Sequence, residues 1–217
     1  MNLKLFICGL PENLRYPSAK VISNMEVLLW NIKNNPVPVP HKIKVRIISG
    51  YAQKFHTQIL IETGTYLGQT VDDLKNEFNK IYSIELDKTL YRNARKMFSK
   101  NRNIKIIQGD STTILPNLIR EAKKPTLFWL DAHYSGGITA KGKKETPILN
   151  ELKSISKSKI KNHVILIDDA RNFTGLCDYP TIKEIKLFVS RYFPHYKIEI
   201  KDDIIRIYPY EKNILEK

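Results

Sequence analysis

From residue 57 onward the chain alternates between two patterns of apolar and polar positions. Short apolar, β-branched runs predict strands at "QILIE" (58–62), "IYSIE" (81–85), "IKIIQ" (104–108), "TLFWLD" (126–131) and "HVILID" (163–168). Apolar positions at helical spacing predict helices at "TVDDLKNEF" (70–78), "KTLYRNARKMFSK" (88–100), "TTILPNLIREAKK" (112–124) and "TIKEIKLFVSRYF" (181–193). One more helix is expected to open at Thr146 as N-cap with Pro147 in its first turn. The chain closes with "YKIEIKDDIIRIYPY" (196–210), two alternating runs about Asp202-Asp203, which predicts a hairpin. Upstream, residues 17–33 carry Val21, Met25, Leu28, Leu29 and Ile32 at mostly helical spacing, and 42–55 predicts a second helix. The prolines of "NNPVPVPH" separate the two by enforcing extended backbone. The N-terminal "LFICGL" is too short for a signal peptide core and is expected to be a strand or packing arm.

Regular alternation of strand and helix argues for a parallel sheet covered on both faces. The expected fold is α/β: a doubly wound, mostly parallel seven-stranded Rossmann-like sheet with a C-terminal antiparallel hairpin. At 217 residues one domain is expected, with 1–56 as an N-terminal helical cap and 57–210 as the core. No apolar run approaches the length that spans a bilayer. Two cysteines, Cys8 and Cys177, without a Cys-x-x-Cys spacing make a reduced, cytoplasmic setting the expectation. The net charge of +14 comes mostly from scattered lysines, which favours a solvated basic surface over a nucleic-acid stripe. Lys141, Lys143 and Lys144 form its densest cluster.

In such sheets ligands bind outside the carboxyl ends of the strands, where strand order reverses. Five predicted strands end there in acids: Glu62, Glu85, Asp110, Asp131, and the pair Asp168-Asp169. The first turn, "ETGTYLGQT", sets Gly64 and Gly68 between strand and helix, so the backbone can approach a ligand closely. It is not the Gly-x-Gly-x-x-Gly fingerprint that seats a dinucleotide pyrophosphate. Glu85, 23 residues beyond Glu62, stands where an acid bonds ribose hydroxyls. A nucleoside without a pyrophosphate suits this pattern, and S-adenosylmethionine suits it best, because its ammonium and sulfonium would face carboxylates.

On these residues the chain resembles the class I S-adenosylmethionine-dependent methyltransferases over roughly 57–210. The resemblance implies a cofactor loop of Glu62, Thr63, Gly64, Thr65, Tyr66 and Gly68. It implies Glu85 on the ribose, and Gly109, Asp110 and Ser111 on the adenine side, with Asp131 closing the site. More narrowly, "WLDAHYSGG" with "LIDDA" looks like the metal-dependent O-methyltransferases of the catechol and macrolide-sugar type. That likeness implies a divalent cation, Mg²⁺ or Mn²⁺, on Asp131, Asp168 and Asp169. The catechol enzymes have Asp-Asn where this chain has Asp168-Asp169, and a lysine base where it has Tyr134. The "DAHYSGGITAKGKKETPI" loop also looks like methyltransferases that accompany glycan biosynthesis.

Physical chemistry supports a cation in such a place. A hydroxyl is a poor nucleophile at neutral pH, and metal binding lowers even water from about 15.7 to about 7 on zinc. All-oxygen ligation favours Mg²⁺ or Mn²⁺. His133, with an ordinary pKa of about 6.5, is the expected general base; Tyr134 is its alternative or a pocket wall. Gly136 and Gly137 suggest a lid, and Arg171 is expected to pair with a neighbouring aspartate. The expected acceptor is a sugar, glycan or small molecule, an anionic one included. RNA methylation, or nucleoside binding without chemistry, is the alternative reading.

Overall fold

The structure is a computed structural model that describes residues 12–132 and 146–210, with side chains from residue 21 onward. The expectations for the N-terminal arm and for the Gly136-Gly137 lid therefore lie outside the described residues. Two helices lead in, α1 (Glu12–Ile32) and α2 (His41–Lys54). The sheet then alternates β1 (Ile59–Thr63), α3 (Gln69–Leu74), β2 (Lys80–Glu85), α4 (Lys88–Met97), β3 (Ile104–Gln108) and α5 (Ser111–Glu121). It continues with β4 (Thr126–Leu130), α6 (Ile148–Ser156), β5 (Val164–Ile167), a 3₁₀ turn (Ala170–Asn172), α7 (Ile182–Tyr192), β6 (Tyr196–Lys201) and β7 (Ile204–Pro209).

All seven strands join one sheet in the order β3-β2-β1-β4-β5-β7-β6. The first five are parallel, and β7 runs antiparallel to both β5 and β6. Strand order reverses between β1 and β4, so the crevice expected to receive a ligand opens there. The closing hairpin turns through Asp202 and Asp203, at φ 51° and 57°, the left-handed pair that a two-residue turn between twisted strands requires.

Two apolar layers cover the sheet, one on each face. Leu60, Ile81, Leu127, Trp129, Val164 and Leu166 point toward α2, α3 and α4, where Ile48, Val71, Leu74 and Ala94 meet them. Their strand neighbours Ile61, Ile84, Phe128, Leu130, Ile165 and Ile167 point toward α5, α6 and α7, onto Leu115, Leu152 and Ile185. This alternation is the period-two pleat, and it explains why parallel strands apolar on both faces look uniformly hydrophobic in sequence.

Two local expectations are corrected. The helix expected over 70–78 stops at Leu74, because the Asn103 side-chain amide donates to the carbonyls of Lys75 (2.8 Å) and Phe78 (3.1 Å), ending the helical ladder. Thr146 is not the N-cap of α6; Pro147 holds that place, and the Thr146 hydroxyl accepts from the Ile148 N–H at 3.4 Å. The helix expected over 17–33 forms within α1, with Val21, Met25, Leu28, Leu29 and Ile32 exposed and Val27 and Trp30 making its buried contacts. Among the described residues no helix is long and apolar enough to cross a membrane.

Candidate active site

The pleat decides which side of the rim each acid occupies. Leu60 faces α2, so Glu62 two residues later does too, and the same parity carries Trp129 to Asp131 and Leu166 to Asp168. In register, Glu62 pairs with Trp129 and Leu130 with Ile167, which puts Asp131 and Asp168 side by side on adjacent strand ends. Ser83 and Glu85 on β2 share the parity of Ile81. Glu85, Glu62, Asp131 and Asp168 thus form a row across four neighbouring strands, spanning the switch point on the α2 face of the sheet.

At the β2 end, Glu85 is buried and accepts two backbone N–H groups, from Tyr66 at 2.8 Å and Asp87 at 2.9 Å. It therefore shapes the glycine loop, and each oxygen keeps lone-pair capacity for another donor. Gly64 sits at φ +89°, and a Cβ there would lie 2.5 Å from the Asp131 backbone oxygen. Only glycine allows the first loop to approach the β4 end this closely. The two loops are also tied by the Asp131 N–H donating to the Thr63 carbonyl at 3.0 Å. Gly68, at φ +77°, starts α3. Beneath the loop, Glu62 accepts from the Ser83 hydroxyl at 2.5 Å, and Thr65 meets the same Ser83 hydroxyl at 2.5 Å. Burial pushes the Glu62 carboxyl up to about 8, against the pull of its hydroxyl partners.

On the next strand end, Gly109 stands at φ +140°, and its N–H donates to the Glu85 carbonyl at 2.8 Å. Asp110 caps α5, accepting from the Thr112 N–H at 2.8 Å and the Thr112 hydroxyl at 2.7 Å, and Ser111 is buried beside it. Glu151 on α6 reaches this same region. It is buried, its Oε1 has no hydrogen-bond partner among the described residues, and burial pushes it up to about 7 despite nearby Ser111 and Thr63 hydroxyls. Sequence reading missed it, although helical spacing sets Glu151 on the apolar face with Ile148, Leu152 and Ile155.

At the β5 end the backbone leaves the strand: Asp169 is left-handed, at φ 54° and ψ 50°. The turn brings both carboxylates of the pair to one place, and they are already partnered. The Lys44 ammonium of α2 donates to Asp168 Oδ2, and it lies 3.6 Å from Asp169 Oδ1. Asp168 Oδ1 accepts the Asp169 N–H at 2.8 Å. Asp169 Oδ1 accepts from Arg171 Nη1 at 2.8 Å, which bears out the expected pairing, and Arg171 also donates to Asp203 in the hairpin turn. Burial raises the Asp131 and Asp168 carboxyls, their neighbouring acids raise them further, and Lys44 opposes both shifts. Burial alone would lower the Lys44 amine, yet Asp168, Asp169 and Asp131 outweigh it and hold Lys44 above its ordinary value.

Beside Asp168 lies a small open cleft, with room for about one water. Leu130, Ile148, Ile167, Phe173 and Tyr179 make its apolar walls, and Asp168, Glu151 and Thr146 supply polar groups. His133 and Tyr134, expected as base and pocket wall, lie outside the described residues, as do Lys141, Lys143 and Lys144.

No family model matches the chain. Solved structures do match it. An O-methyltransferase from Bacillus cereus in complex with S-adenosylhomocysteine superposes with a TM-score of 0.59 at 13% identity, over 87% of this chain and 90% of that one. The methyltransferase PaMTH1 from Podospora anserina, also bound to S-adenosylhomocysteine, gives 0.58 at 15% identity over 93% and 98%. The 23S rRNA methyltransferase ErmE gives 0.50 at 18% identity over 79% and 70%. The fold is that of the class I methyltransferases. At these identities the likeness is one of architecture, and activity must be argued from the rim.

Two groups were expected at this rim, a nucleoside cofactor and a divalent cation, and the residues treat them differently. The row from Glu85 to Asp131 fits a nucleoside with a cationic tail. Its carboxylates are acceptors suited to ribose hydroxyls and a positive charge, and the unpartnered Glu151 Oε1 stands by the adenine-side loop. The residues expected to hold a metal do not fit one as they stand. Both Asp168 oxygens already accept donors, and Lys44 sits between Asp168 and Asp169. Among the described residues, no group of three or more histidines, cysteines or acids is arranged to hold an ion. The divalent cation expected on Asp131, Asp168 and Asp169 is therefore unsupported.

Proposed function

We propose that the chain is an S-adenosylmethionine-dependent O-methyltransferase acting on a hydroxyl of a sugar or related small molecule. The observation that carries this reading is the carboxylate row at the switch point, joined to a glycine loop whose position Glu85 fixes. S-adenosylmethionine, when bound, supplies a methyl group on a sulfonium. The chain's own part is to hold and orient. Glu85 presents its remaining lone pairs to the ribose hydroxyls, Asp110-Ser111 and Glu151 line the base, and Glu62 and Asp131 face the cationic tail. Orientation of this kind is the chief catalytic contribution available to a group transfer between two bound partners.

The acceptor approaches the rim over the small cleft by Asp168, where the Phe173 and Tyr179 rings offer apolar faces to a sugar or small ring. Its acids, Asp168 and Glu151, disfavour an anionic acceptor and a phosphodiester backbone alike. His133, next but one to Asp131 in the chain, remains the proposed proton acceptor. RNA methylation is the second reading, kept in view by the +14 charge.

A thermal-shift titration with S-adenosylhomocysteine tests the central claim. Ligand at about 100 times its Kd stabilises a native state by about 2.7 kcal/mol, so the melting temperature should climb with concentration. Glu85→Ala should blunt the climb. No shift with either S-adenosylmethionine or S-adenosylhomocysteine at millimolar concentration overturns the reading.

A further inference from the structure

We infer that Lys44 is the resident cation of the acidic rim, seated where a divalent ion would otherwise bind, so that the rim holds together without a metal. The pleat concentrates Glu62, Asp131 and Asp168 on the α2 side of the sheet, and Asp169 joins them through its left-handed turn. Buried acids this close need positive charge among them. α2 packs on β4 and β5 and delivers it: the Lys44 side chain is only 17% exposed and Asp168 2%. Lys44 spans the acidic pair, donating to Asp168 and standing 3.6 Å from Asp169.

The local sequence of α2 points the same way. The helix opens with His41, Lys42 and Lys44, has no acid in its first turn and has no side-chain cap. Cations at the positive end of a helix are unfavourable by themselves. A residue that breaks a local rule this way is expected where a site compensates for it. Here the compensation is visible in the two aspartates. The remaining positive charge comes from Arg171, which holds Asp169 from the far side and ties it to Asp203. With both oxygens of Asp168 engaged, an incoming ion must first displace the ammonium and then tolerate it nearby. Mg²⁺ and Mn²⁺ demand oxygen ligands in near-regular geometry and lose on both counts.

Lys44 is thus a positioning residue: it fixes the Asp168 and Asp131 carboxylates at the junction of the cofactor row and the cleft. This inference concerns cation occupancy and stands or falls apart from methyl transfer. The test titrates Mn²⁺ into the full chain and reads free Mn²⁺ by electron paramagnetic resonance, with melting temperature alongside. The native protein and Lys44→Arg should leave Mn²⁺ free at millimolar concentration. Lys44→Met, which keeps an unbranched chain but loses the charge, should bind one equivalent at least about tenfold more tightly than the native protein. That gain should vanish when Asp168→Asn is added. If Lys44→Met folds only when Mn²⁺ is present, the same conclusion is supported. Native protein that binds Mn²⁺ as tightly as Lys44→Met, with loss on Asp168→Asn, overturns the inference. So does a folded Lys44→Met that takes up none.

Discussion

His163 shows how a buried polar group fixes its own charge. The Thr126 N–H donates to its Nδ1 at 3.1 Å, so that nitrogen must be unprotonated, and Nε2 meets the Ser158 hydroxyl at 2.9 Å. With Phe128 packed edge-on against the ring, the neutral form is favoured and burial pushes its pKa down to about 4. The unfolded chain takes up its proton near the ordinary value of about 6.5. Stability from the neutral ring is therefore fully present above pH 6.5 and is lost as pH falls toward 4. Glu62 and Glu151 work in the opposite direction, because folding favours their protonated forms. The histidine contribution is thus read as a difference between the native protein and His163→Met. Urea denaturation at pH 6.5 and pH 5 should show the native protein losing about 1.5 kcal/mol more than the variant over that interval. Equal losses would overturn the assignment. At this scale the sequence was half legible. Acids at strand ends can be read from local pattern, since each sits one or two residues past an apolar run. Lys44 cannot, because it meets Asp168 across 124 residues of chain, and its trace in sequence is only an uncapped, basic helix start.

Elements were legible where periodicity and capping agreed. Strand β3 runs over 104–108 as its apolar run predicts, and α7 begins beside a full capping box, Thr181 with Glu184. The Thr181 hydroxyl accepts from the Glu184 N–H at 3.2 Å, and the Glu184 carboxylate accepts the Thr181 N–H at 2.7 Å. Thr181→Ala removes one half of that exchange and should cost about 1 kcal/mol in denaturant unfolding, without altering nucleoside binding. A loss of nucleoside binding would mean that α7 reaches the rim, against its place beside β6. Where elements departed from expectation, tertiary contacts decided. Asn103, 28 residues away, claims the Lys75 carbonyl and ends α3 early. The stripe of α1 from Val21 to Ile32 has helical spacing, yet it lies on the exposed side, because Val27 and Trp30 hold the helix to the body. Periodicity predicts that a helix forms; it does not say which face is buried.

At the scale of the whole molecule, the order β3-β2-β1-β4-β5-β7-β6 brings four acidic strand ends together, while the chain as a whole carries +14. The two facts separate in space. The rim holds its carboxylates against Lys44 and Arg171, and the cleft beside it presents Asp168 and Glu151. Most of the positive excess is therefore surface lysine, and its attraction for a polyanion is diffuse. Diffuse attraction has a measurable signature, because each phosphate neutralised releases counterions. Affinity for a short RNA should then fall by about 10³ or more as salt rises from about 50 to about 200 mM. Site-directed binding behaves differently: an RNA that entered the cleft would couple to the cofactor, each tightening the other by the same factor. Measured by fluorescence anisotropy, RNA affinity should be unchanged by saturating S-adenosylhomocysteine. A reciprocal gain that survives physiological salt would reverse the order of the two functional readings, making the basic surface the guide that carries RNA to the rim.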